Sequence, residues 1–169
     1  MIRINYIRQV IHLFVFLILQ IPLINKFILF DKAFGFFYLG FILFLPVGLN
    51  RNLTMIIGFL SGLVIDVFSN TPGIHAAATV LITFVKDYWY SFAIGEDEEP
   101  NLSWNDLKGW GSVKFLLPLI TLHHTIIFVL ENNGFTEFVI LMNKILLSSA
   151  YTFITVFSLS LLLAPTERK

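Results

Sequence analysis

The hydrophobic residues of this chain fall in six runs broken by short polar clusters. The first covers residues 7–24, with Arg3 and Arg8 before it and Asn25-Lys26 after it. A helix rises ~1.5 Å per residue, so about 20 apolar residues cross a bilayer core, and the pattern predicts a membrane span here. The run is too long for a secretory leader and no small-x-small cleavage site follows, so a retained first span is expected. Runs 34–49 and 53–68 are separated only by Asn50-Arg51-Asn52, which reads as a tight hairpin between two short spans. Ser69-Asn70-Thr71-Pro72-Gly73 is a turn cluster that stops one helix before the next begins. A fourth run covers 74–94, with Lys86-Asp87 near its inner end and Tyr88, Trp89 and Tyr90 beside them as an interfacial belt. Residues 95–112 are the one sizeable polar segment, with Glu96 to Glu99, Pro100, Trp104 and Trp110. There, Ser103 three residues before Asp106 predicts a short surface helix at the membrane boundary. Runs 113–130 and 138–163 complete the series.

This pattern predicts an all-α membrane protein, a single domain over residues 1–169 built as a compact bundle of six transmembrane helices. Basic residues set its orientation. Under the six-span reading one side receives Arg3, Arg8, Arg51, Lys86, Lys108, Lys114, Arg168 and Lys169, and the other only Lys26 and Lys32. Both termini are therefore expected in the cytoplasm. A four-span reading, with residues 34–68 as a re-entrant hairpin, has the same parity and stays open.

Composition agrees with the class. The chain is 57% hydrophobic with 19 phenylalanines, only 13% charged, and has a mean hydropathy of +0.82; soluble domains carry about 25% charged residues. Its net charge is zero, which gives no reason to expect nucleic acid as a partner. The absence of cysteine excludes disulfides, thiolate metal sites and cysteine nucleophiles.

Candidate chemistry concentrates between residues 58 and 75. Asp66 closes an apolar run that carries Gly62 and Gly58 four and eight residues before it, so all three share one helical face. An ionisable group inside a span is costly and usually faces a bundle interior. For Asp66 the readings are a paired charge that fixes the bundle, with Lys144 as the expected cationic partner, a ligand or proton site, or an interfacial cap on the next helix. Lys144, six residues into the last span, could instead extend to the headgroups. The Gly58-x-x-x-Gly62 spacing lets helix backbones approach closely. Pro72-Gly73 makes the turn, and His75 opens the fourth span beside Ala76-Ala77-Ala78. His123 and His124 are adjacent and point about 100° apart on a helix, a poor arrangement for sharing one ion. They read as satisfied buried histidines, and neither a metal site nor a cofactor is expected. No nucleophile-and-base constellation or phosphate-binding motif occurs, so the chain is expected not to be an enzyme. The run Glu96 to Glu99 reads as a solvated loop, with contact to a basic cytoplasmic partner as the sharper alternative.

From Gly58 to Thr79, the sequence Gly58-x-x-x-Gly62-Leu-Val-Ile-Asp66 followed by Ser69-Asn-Thr-Pro-Gly73-Ile-His75-Ala-Ala-Ala resembles the central signature of the rod shape-determining MreD family, in its Bacteroidetes-type form. The specific part covers about 22 residues; agreement elsewhere is in size and span pattern only. The resemblance implies a non-enzymatic scaffold of the bacterial inner membrane that supports lateral peptidoglycan synthesis and regulation of cell shape. Its partners would be an MreC-like single-span protein, the actin-like MreB, and the glycosyltransferase and transpeptidase of the elongation complex. That family is similar in fold to the S components of energy-coupling-factor transporters, which implies the alternative of a small-molecule-binding membrane subunit.

Overall fold

The computed structural model describes residues 33–95, 110–132, 134–135 and 137–163, together with Val15, Gln20, Ile28 and Leu29. The expected first span (7–24), the surface helix near Ser103, the acidic run Glu96 to Glu99 and both termini lie outside the described residues, apart from those single positions. In chain order the described elements are two short strands and five helices. Strands β1 (Ile28–Leu29) and β2 (Ala33–Phe34) pair antiparallel, with Ile28 opposite Phe34. The helices are α1 (Leu39–Leu43), α2 (Arg51–Ser69), α3 (Ile74–Ala93), α4 (Trp110–Glu131) and α5 (Phe138–Leu163).

On α2 and α5 small and polar residues make up most of the buried positions, and large apolar ones cover the outside. On α2, Thr54, Gly58, Ser61, Gly62, Ile65 and Asp66 are buried, whereas Ile56, Phe59, Leu60, Val67 and Phe68 are exposed. On α5, Ser148, Ser149, Thr152 and Ser160 are buried while Val139, Ile140, Leu146 and Ile154 are exposed. Water would penalise so large an apolar exterior, whereas lipid accommodates it and leaves the interior to small and hydrogen-bonding residues. Helices α2, α4 and α5 are long and apolar enough to cross a membrane. The chain thus has the character of a helical membrane protein. Helix α3 has the length of a span at 20 residues. His75, Thr79, Thr83, Lys86 and Asp87 lower its hydropathy, which keeps it outside that set.

The expected second span, 34–49, is not a spanning helix. Its one helical piece is the five-residue α1, and the chain from Phe36 to Leu45 is buried without a break. The cause is local. Gly35 and Pro46 bracket the segment and Gly48 takes φ +80°, so no helix of membrane length can propagate through it. Non-helical backbone is tolerated at membrane depth only where protein supplies its hydrogen bonds. Surrounding side chains supply them here. Ser148 and Thr152 of α5 accept from the amides of Phe34 and Phe36 at 2.9 and 3.1 Å. The Gln20 side chain donates to the Gly35 carbonyl at 3.0 Å and accepts from the Tyr38 amide at 3.3 Å. Lys86 of α3, fully buried, sends its Nζ to the Leu45 carbonyl at 3.0 Å and to Asp87 Oδ1 at 2.7 Å. The segment thus forms the centre of the core, with Leu39, Ile42 and Leu43 packed against Ile82, Phe115, Leu119 and Val156.

Helix boundaries follow from residues at their ends. Asn50 caps α2, its Oδ1 accepting from the amides of Asn52 and Leu53 at 3.0 and 3.3 Å. Asn70, with φ 55°, turns the chain out of that helix in the left-handed conformation. Pro118 lies inside α4 and has no N–H for the carbonyl of Lys114, four residues back. The indole Nε1 of Trp89 on α3 donates to that carbonyl at 3.0 Å. One helix thereby repairs the defect of another. Replacing Trp89 with Phe should destabilise the protein by about 1 kcal/mol. Most of that loss should disappear in a Pro118→Ala background, where the amide restored by the substitution takes the Lys114 carbonyl. Thermal unfolding of the four proteins of this cycle in detergent tests the pairing; an equal loss in both backgrounds would refute it.

Candidate functional site

The α2–α3 hairpin is held by three features that the sequence places on one helical face. Gly58 and Gly62 face α3 so closely that added side chains would collide. A Cβ on Gly58 would lie 2.8 Å from Thr83 Cγ2 and 3.1 Å from the Thr79 carbonyl, and one on Gly62 would lie 2.5 Å from Ala76 Cα. The Thr79 hydroxyl sits in this interface, 2.8 Å from the Gly58 carbonyl and 2.8 Å from the His75 carbonyl of its own helix. Close backbone approach is what a small-residue stripe permits in a bundle without a hydrophobic driving force.

Asp66 closes the pair at the turn. Gly73 occupies the N-cap position of α3 and has no side chain with which to bind the free amides of the first turn. Asp66, reaching across from the end of α2, takes that role. Its Oδ1 accepts from the His75 amide at 3.0 Å and its Oδ2 from the Ala76 amide at 2.9 Å. The Thr71 hydroxyl also donates to Oδ1 at 2.5 Å, and His75 Nδ1 lies 3.0 Å from the same oxygen. A carboxylate can only accept, so the ring proton of His75 sits on Nδ1. The negative charge also faces the positive end of the α3 dipole. Gly73 adopts φ +86° with open space around it, so its glycine is required by conformation and not by crowding. Pro72 is exposed in the turn and contributes only to its shape.

The expected pairing of Asp66 with Lys144 does not occur. Lys144 binds Glu131 Oε2 at 3.2 Å, with its Nζ 4.2 Å from the Phe128 ring centroid and 4.7 Å from that of Phe34. The amides of His75 and Ala76, the Thr71 hydroxyl and the His75 ring are the partners of Asp66, and among the described residues no lysine pairs with it. Asp66 is instead the cap on the next helix, but buried at 3% exposure and not solvated at the interface. Gly58, Gly62, Asp66, Gly73 and His75 therefore form one constellation, to which Lys144 does not belong.

Next to it lies a second polar cluster around Phe36. Its ring centroid stands 5.3 Å from that of His75, 5.7 Å from His123 and 5.0 Å from His124. The Tyr38 hydroxyl bonds His123 Nε2 at 2.8 Å. His124 Nδ1 donates to the Ile120 carbonyl at 2.8 Å, which leaves Nε2 to accept from the Thr152 hydroxyl at 3.1 Å. Thr152 in turn accepts from the Phe36 amide. Both members of the histidine pair are thus buried with hydrogen-bond partners, although His75 Nε2 and His123 Nδ1 have none among the described residues. The sequence reading did not single out Tyr38, Thr152 or Gln20, and it took Lys86 only as a basic residue near the inner end of the fourth run. The four-residue spacing of Ser148 and Thr152 on an otherwise apolar span was the signal available for a polar inner face.

Chemically this arrangement is suited to holding backbone. A nucleophile–base relay needs the acid on one imidazole nitrogen and the nucleophile on the other. Here the Thr71 hydroxyl and the Asp66 carboxylate both approach Nδ1 of His75, and the hydroxyl proton is directed at Asp66. Among the described residues no group of three His, Asp or Glu side chains is arranged to hold a metal ion. No family model, curated protein or solved structure matches the chain.

Two substitutions probe the hairpin. Asp66→Asn keeps one acceptor oxygen but loses the charge and the second acceptor, and should destabilise the protein by about 1–3 kcal/mol in detergent unfolding; an unchanged midpoint would remove the capping role. Gly62→Ala should lower the midpoint as well, because the new methyl meets the Ala76 backbone. Helix propensity alone would predict stabilisation, so the sign of the change decides.

Proposed function

We propose that the chain is an MreD-type scaffold of the bacterial cell-elongation complex, a multi-pass protein of the inner membrane. In this reading it supports lateral peptidoglycan synthesis by binding an MreC-like single-span protein, and through it MreB and the glycosyltransferase and transpeptidase pair. It performs no catalysis of its own. The observation that carries the reading is the resemblance of residues 58–79 to the MreD signature. Supporting it, the signature residues Gly58, Gly62, Asp66, Gly73 and His75 meet in one packed hairpin. A signature spent on fixing the relative position of two helices suits a protein whose work is to present surfaces.

A second reading, a small-molecule-binding subunit of the energy-coupling-factor type, is favoured by one observation. A cavity of about 320 Å³ opens between α4 and α5, lined by Phe128, Glu131, Glu137, Leu141 and Lys144. Its charged lining and its size, at the lower end of ligand sites, would suit a small polar solute.

Co-expression with an MreC-like protein from the same genome, followed by purification in mild detergent, separates the two. The scaffold reading expects stoichiometric recovery of the partner, reduced by Gly62→Leu, which would force α2 and α3 apart. Recovery of the chain alone under every condition, with a small solute that Glu131→Ala releases, would replace it with the transport reading.

A further inference from the structure

The stripe that brings α2 and α3 together also shapes their outer side. Small residues at the contact leave a valley, and large side chains on either flank rise above it. Met55, Phe59 and Leu63 of α2 face Ala77, Val80 and Phe84 of α3 across an almost wholly apolar groove of about 650 Å³. The three α2 residues are spaced four apart, so the groove runs roughly 12 Å along the helix, parallel to the direction of a lipid chain.

One end of this groove carries a fixed cation. Arg51 lies one turn before Met55 on the same face of α2. Its guanidinium carbon stands 4.5 Å from the Tyr88 ring centroid and 5.3 Å from that of Phe84. Phe84 is therefore both a wall of the groove and a support for the guanidinium. Arg51 is exposed and forms no ion pair among the described residues. Aromatic residues beside a basic residue at a helix end mark the headgroup level of a bilayer. A guanidinium held there offers a forked set of donors matched to a phosphate.

We propose that the α2–α3 groove binds an anionic phospholipid, with an acyl chain along Met55–Leu63 and Ala77–Phe84 and the phosphate on Arg51. A partner helix would fill the same apolar valley but leaves the cation without its anion, so the charge favours the lipid. This site is independent of the scaffold reading and requires only that the helices stand in a membrane.

The test uses the full chain, purified in mild detergent and exposed to equal amounts of phosphatidylglycerol and phosphatidylethanolamine with identical acyl chains. Native mass spectrometry then reads the lipid retained. Phosphatidylglycerol should be retained at least tenfold over phosphatidylethanolamine. Arg51→Gln should bring the two to the same level, and Ala77→Trp, which fills the groove from an exposed position, should abolish retention of both. Lys114→Gln removes an exposed charge elsewhere and should change nothing. Equal retention of the two lipids by the unaltered chain would overturn the proposal, as would loss of the preference in Lys114→Gln to the same extent as in Arg51→Gln. Unchanged retention in both Arg51→Gln and Ala77→Trp would overturn it too. So would a photocrosslinker at position 77, in cells, that captures a protein helix and no lipid.

Discussion

A backbone amide or carbonyl left without a partner in hydrocarbon costs several kcal/mol, and the interior of this protein is arranged around that constraint. A segment of roughly ten residues with only one short helix lies buried among the long helices, and the backbone groups described above in and beside it meet side chains. Gln20, Ser148, Thr152 and Lys86 are the donors and acceptors that make the segment tolerable. Asp66 performs the same service for the first turn of α3, and Trp89 for the carbonyl that Pro118 orphans. Polar residues that would be read singly as candidate chemistry thus share one structural task.

The same constraint explains why the hairpin of α2 and α3 is so tightly specified. Its helices approach until Gly58 and Gly62 touch the backbone and threonines of α3, and the N-cap position of α3 is held by Gly73 at φ +86°, which has no capping side chain. The carboxylate must therefore come from the preceding helix, four residues beyond the second glycine, so that closeness and capping are solved on one face. Outside, the same closeness produces the groove flanked by Phe59 and Phe84. Interior packing and exterior recognition are two sides of one small-residue stripe.

Most of the hairpin was legible in the sequence. Glycines four and eight residues before an aspartate, followed by a Pro-Gly turn and a histidine, give a shared face and a tight connection from spacing alone. The cap role of Asp66 was among its readings, while the expected Lys144 pairing was not met, since Lys144 binds Glu131 within the neighbouring pair of α4 and α5. Charge complementarity in a sequence does not reveal distance, and amides within the turn were nearer. The histidine pair was legible as buried; its partners Tyr38 and Thr152, far away in the chain, were not.

The sequence by itself determined the class of the molecule, the extents of α2 to α5 to within a few residues, and the helix face that carries Gly58, Gly62 and Asp66. Those properties depend on local hydropathy, turn residues and the 3.6-residue repeat. Only the tertiary structure decided that residues 34–49 form a buried, mostly non-helical segment and not a span, and that Asp66 serves the amides of α3. Hydrophobicity is the same for a helix facing lipid and a segment buried in protein. What separates them is whether side chains distant in sequence arrive to satisfy the backbone.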